Sequence, residues 1–118
     1  MIDNFNDGFQ RVNDFPWSNS EKRIARAVFD QAVKAELAEL MENFKRQAAA
    51  LTSPDEMWQI GESLKQIRAE FDRKYDFRYS QLVLVFGILL REKRIAEADL
   101  QGLSQDKREA IRRIAMSR

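Results

Sequence analysis

Carboxylates are the residues of this chain best placed to do chemistry. Asp55 and Glu56 are adjacent, and Glu36, Glu39 and Glu42 recur at three-residue steps. Paired carboxylates work as general acid and base when burial shifts one of them upward in pKa. In a chain that is 33% charged, the same acids also serve as the wet face of a helix, which is the simpler reading. His is 0 and Cys is 0. Their absence removes the commonest general base, the commonest transition-metal ligand, thiolate chemistry and disulfides. Carboxylate di-metal bundles use Glu-x-x-His on facing helices, a pattern that needs histidine. Gly61, Gly87 and Gly102 stand alone, so no phosphate-cradling loop is formed. A catalytic carboxylate pair is therefore the less favoured reading, and neither a histidine-bearing metal site nor a phosphate loop is expected.

Binding is the chemistry that remains. On a wheel of about 100° per residue, Trp58, Glu62, Lys65 and Ala69 share one face, with Gly61 flanking it and Arg68 nearer an apolar seam. A tryptophan beside glycine and among charges has the make-up of an interface hot spot, and Gly61 would let a partner approach closely. The alternative is a Trp58 folded over its own core edge and stacked on Lys65 or Arg68. Spacing leaves both open. A second dense patch, "DRKYDFRYS", mixes Arg73, Lys74, Tyr75, Asp76, Arg78 and Tyr79. It reads as a hydrogen-bonded corner, with Asp76 tied to Arg78 or to backbone N–H groups, or as a partner contact. The basic end, Lys107, Arg108, Arg112, Arg113 and Arg118, suits either nucleic acid or a helix C-terminus. Lys+Arg 20 against Asp+Glu 19 sets up no global field, so no nucleic-acid partner is expected.

Helices must position these residues. Gly (4) and Pro (2) are scarce and 44% of the chain is hydrophobic, which predicts an all-α protein of one domain or one protomer. Residues 1–17 lack periodicity and are expected to form a flexible N-terminal arm. Ser18 and Glu21 have the spacing of a capping box. Phe29, Val33, Leu37, Leu40, Phe44, Ala48 and Leu51 then recur as one helical face. A helix of about 33 residues would run roughly 50 Å, against a radius of gyration of about 13 to 14 Å for a compact chain of this length. Its apolar face needs cover, and a second copy of the chain is the simplest cover. A second helix starts at Ser53, with Pro54 at its first position and Glu56 two residues on. Its seam is Met57, Ile60, Leu64, Ile67 and Phe71, and the short link makes the two helices antiparallel. The expectation is therefore a long antiparallel helical stalk over 18–76, forming a homodimer, and a small helical head over 77–118. In the head, "LVLVFGILL" fits a buried strand or a helix. With no partner strand in sight it is read as a helix whose core face is Leu82, Val85, Phe86, Leu89 and Leu90, with Asp76 or Ser80 as its cap. Ser104 caps a last helix that turns Leu103, Ile111, Ile114 and Ala115 inward. The opening "MIDNFNDGFQ" has no basic and apolar leader pattern, and nine apolar residues are too few to span a bilayer. These features predict a cytoplasmic protein with no membrane segment.

Taken in order, "PWS", "EL..L", "D.MW", "R.EFD.KYD.RYS", an apolar helix ending "LLRE" and "DL..LS.DK...I..IA" resemble the fluorescence recovery protein family from Pro16 to about Ala115. The resemblance implies an all-helical protein with a long-helix stalk and a smaller head, dimeric through the stalk. It implies binding to photoactivated orange carotenoid protein, chiefly its C-terminal domain, and acceleration of its red-to-orange return, which ends photoprotective quenching of the phycobilisome. Neither bond-making chemistry nor a cofactor is implied. By position, Trp58 and Arg68 match the family's dimer and partner surface, and Gly61, Glu62 and Lys65 join them as candidate interface residues. Tyr75, Asp76 and Arg78 match its helix junction, and Leu84 and Phe86 are the candidate residues of the head. The chain departs from the family pattern at Gly61-Glu62, in place of His-Asp, at Leu84, in place of an aromatic, and at Ala110, in place of a basic residue. A helical interaction module with an unrelated protein partner is the alternative function.

Overall fold

The computed structural model describes residues 15–117. The arm expected over 1–17 therefore falls mostly outside the described residues. Within them the chain is all-helical: α1 (Asn19–Ala49), α2 (Pro54–Lys74), α3 (Leu82–Arg91), a 3-10 turn (Glu97–Leu100) and α4 (Gln105–Met116), with no strand. The strand alternative for residues 82–90 is not taken up.

Local chemistry sets the helix ends. Ser18 Oγ accepts the Glu21 backbone N–H at 3.2 Å while Glu21 Oε1 accepts the Ser18 N–H at 3.0 Å, a reciprocal capping box that starts α1. Ser53 Oγ accepts from the Glu56 N–H at 3.3 Å, and Pro54 opens α2. Glu56 turns back to Thr52, accepting from its N–H and its hydroxyl at 2.8 and 2.9 Å. The cap of α3 differs from expectation. Gln81, and neither Asp76 nor Ser80, occupies the cap position; it makes no side-chain cap bond, and Asp76 is paired with Arg78. Ser104 caps α4, accepting from the Lys107 N–H at 3.4 Å.

The chain divides into two compact units. One combines the chain up to Ala32 with Asp76 onward, and the other is Val33–Tyr75. The division runs through α1, so the first turns of that helix, expected in the long-helix region 18–76, join the unit that holds α3 and α4. Burial gives the reason. Ala25, Phe29 and Ala32 are buried with Leu82, Val83, Val85, Phe86, Leu89, Ile95, Leu100, Leu103, Ala110 and Ile111. Phe29 meets Phe77 edge to face, with centroids 4.9 Å apart. Gly87 lets α3 and α4 approach closely: a Cβ there would collide with Ile114. At Gly102, φ is +98, the left-handed region that favours glycine, and Ile24 lies against it.

The second unit has no comparable core. α2 buries none of its 21 residues. Leu37, Met41 and Phe44 of α1 and Met57, Trp58 and Leu64 of α2 are all exposed. The two helix segments run antiparallel. Glu36 meets Lys74 and Tyr75 at one end, and Gln47, Ala50 and Leu51 line a shallow pocket with Ile60 and Ser63 at the other. No helix of the described residues is long and apolar enough to cross a membrane.

Candidate partner surface and the family it belongs to

Trp58 lies four residues into α2, after the capped first turn, and is 68% exposed. It is not folded over the apolar seam of its own helix. Gly61, one turn on, has nothing within 4 Å of the position a Cβ would take. The charges around them are wet and loosely paired: Glu62 with Lys65 at 4.0 Å, and Arg68 with Asp72 at 3.6 Å. Exposed pairs of this kind add little to stability. Trp58, Gly61, Glu62, Lys65 and Arg68 are thus all on α2 and all exposed.

The corner patch divides. Arg78 donates to Asp76 through Nε at 2.8 Å and through its terminal nitrogen at 2.5 Å, a bidentate pair. These hydrogen bonds hold the Asp76 carboxyl below its usual range and raise the Arg78 guanidinium further. The reading of a hydrogen-bonded corner describes this pair. Tyr75, the last residue of the second unit, donates its hydroxyl to Glu36 of the same unit at 2.7 Å. Glu36, grouped with surface acids in the sequence reading, has a side chain only 12% exposed. Its companions Glu39 and Glu42 are exposed, as read. Among the described residues no group of three acids, histidines or cysteines is placed to hold a metal ion.

In the unit of α3 and α4, Leu84 is exposed while Phe86 is fully buried. Phe86 is a core residue that supports the helix presenting Leu84, and it offers a partner nothing directly. Ala110 is buried too. Lys107, counted with the basic C-terminal cluster, is buried beside Glu21, with Nζ 3.2 Å from the carboxylate. It also donates to the Pro16 carbonyl and lies 4.9 Å from the Trp17 ring centroid. That cluster therefore loses one of its cations to the core. The Lys107–Glu21 contact joins residues 86 apart and has no periodic signature, so sequence reasoning missed it.

The order of these elements and motifs has counterparts in known proteins. Residues 17–115 match the family described as photoprotection regulator fluorescence recovery protein. The chain belongs to this family. The fluorescence recovery protein of Synechocystis sp. (strain ATCC 27184 / PCC 6803 / Kazusa) is 36% identical to it over 100 residues, covering 85% of this chain and 92% of the relative. Solved fluorescence recovery protein structures superpose closely. That from Fremyella diplosiphon has a TM-score of 0.82 at 31% identity, covering 86% of this chain and all of the other. The one from Synechocystis sp. PCC 6803 has a TM-score of 0.82 at 35% identity with the same coverage. The all-helical fold is thus that of the fluorescence recovery proteins, and the chain is a member of a family of photoprotection regulators.

Proposed function

We propose that this chain acts without bond-making chemistry, as a dimeric cytoplasmic regulator that binds photoactivated orange carotenoid protein through its C-terminal domain. Binding would speed the red-to-orange return and end quenching at the phycobilisome. The observation that carries the reading is the face of α2. Trp58 stands 68% exposed beside an open Gly61 on a helix none of whose residues is fully buried. Such a face gains free energy only by meeting another surface. In this reading residues 18–76 carry the dimer contact and 77–118 form the head. Trp58, Gly61, Glu62, Lys65 and Arg68 make the subunit and partner surface, with Tyr75, Asp76 and Arg78 at the junction and Leu84 as the exposed contact of the head. Acceleration requires that the chain bind the compact form of its partner, or the transition state leading to it, more tightly than the red form.

Dark reversion of photoactivated orange carotenoid protein, followed by absorbance with and without this chain, tests the proposal. Acceleration at substoichiometric dose is the expected result. No acceleration by folded chain would favour the second reading, a helical interaction module with a different protein partner. That reading draws on Gly61, which offers no side chain, on Leu84, which is exposed, and on Ala110, which is buried.

A further inference from the structure

We propose that Glu36 is the positioning residue of the two-helix unit: its carboxylate clamps the C-terminal end of α2 to α1 and sets the register in which their apolar faces meet a second copy of the chain. The pairing part rests on the dimer reading above. Glu36 Oε1 accepts from the Tyr75 hydroxyl at 2.7 Å and lies 2.7 Å from Lys74 Nζ, and Oε2 accepts from the same ammonium at 2.9 Å. The Glu36 and Lys74 side chains are 12% and 16% exposed, in contrast to the surface pairs further along α2. Phe71 backs the cluster, with its ring 4.6 Å from that of Tyr75. These contacts bridge 38 and 39 residues of chain.

Their position gives them weight. At the other end of the hairpin, Ser53, Thr52 and Glu56 define the turn by local bonds. Along its length α2 buries no residue, so apolar packing within the chain holds it weakly against α1. A sequestered, charge-assisted cluster at the open end supplies direction as well as attraction. Only a carboxylate can accept from a phenol and an ammonium at once through two oxygens. Leu37 and Met41, beside and one turn beyond Glu36, and Leu64 on α2 are the exposed apolar groups whose alignment this clamp controls. Holding them in register before a second copy arrives lowers the ordering cost of pairing.

Residue-resolved amide hydrogen exchange on the full chain, together with sedimentation equilibrium, tests the proposal. In Glu36→Ala, amides from Ile67 to Tyr75 are expected to exchange about tenfold faster or more, with α4 amides within about twofold of wild type. Self-association should weaken by about tenfold. Glu36→Gln retains an acceptor for Tyr75 and should recover part of both losses. A residue serving only general stability would quicken exchange in α4 as much as in α2, with no recovery by Gln. Either that pattern or unchanged exchange in α2 overturns the clamp. A wild-type chain that sediments as a monomer overturns the pairing role and the dimer reading, while the exchange ratio still decides whether Glu36 holds α2. Loss of carotenoid-protein activity with both measurements as expected would count against the partner alone.

Discussion

A tryptophan in water and a lysine in a core are the two residues that most clearly reveal this chain. Trp58 exposes most of its surface, so its truncation should cost the folded chain little and any interface much. Trp58→Ala is expected to leave the melting temperature within a few degrees of wild type and to weaken dimerisation or partner capture by about 30-fold, as loss of a hot spot worth about 2 kcal/mol would. Sedimentation equilibrium and the reversion assay read the two outcomes. Lys107 is the converse. Its side chain is 3% exposed against a Glu21 side chain that is 10% exposed, between the caps of two helices. Lys107→Met leaves Glu21 buried without its cation and should cost about 3 to 5 kcal/mol in urea unfolding. Glu21 also sets a pH dependence. Burial raises its pKa, but the Ser18 and Ser104 N–H groups and Lys107 outweigh this and hold it below the ordinary value. The unfolded chain therefore binds that proton more readily than the folded one. The stabilisation is complete above the ordinary glutamate value and is lost as pH falls through the lower folded value. Urea midpoints measured from neutral pH down to about pH 3 should fall in that direction, and the fall should be smaller in Glu21→Gln.

At the scale of elements, α1 has two roles along one apolar stripe. Its first turns pack Ala25, Phe29 and Ala32 into a core, whereas Leu37, Met41 and Phe44 further on are exposed. The spacing of the stripe is the same in both stretches, which is why the change at Ala32 could not be read from periodicity. The close approach of α3 and α4 depends on a missing side chain at Gly87. Gly87→Ala would press a methyl into Ile114 and is expected to destabilise by about 1 to 3 kcal/mol, seen as a lower urea midpoint. The same substitution at Gly61, where nothing lies within 4 Å, should be neutral or slightly stabilising, since Ala favours helix by about 1 kcal/mol.

For the molecule as a whole, the uneven burial carries the prediction. One unit has a core of aliphatic and aromatic side chains. The other leaves Leu37, Met41, Phe44, Met57, Trp58 and Leu64 exposed. Patches of this kind on soluble chains mark interaction sites. Dilution is expected to convert a dimer to monomer with loss of helix content, because two antiparallel helices without a core are marginal alone. Circular dichroism across a concentration series checks this, and a helix signal independent of concentration would refute it.

The sequence by itself determined the helices, the caps of α1, α2 and α4, and the family. Periodicity of 3.6 residues, the capping pairs Ser18–Glu21 and Ser53–Glu56, and the motif order around Trp58 and Tyr75 are local properties, written in the types and spacing of neighbouring residues. It also placed Trp58 off the apolar seam, where it is found. Only the tertiary structure decided which similar residues have different fates. Glu36 is drawn in by Lys74 and Tyr75 while Glu39 and Glu42 stay wet. Lys107 leaves the basic C-terminal cluster for a buried pair with Glu21. Phe86 turns to the core and Leu84, two residues before it, turns to water. Asp76 is committed to Arg78 in preference to capping α3. Apart from the local Asp76–Arg78 pair, each outcome depends on a partner distant in sequence or on which side of a helix another element covers, and neither is encoded in the spacing of a single helix.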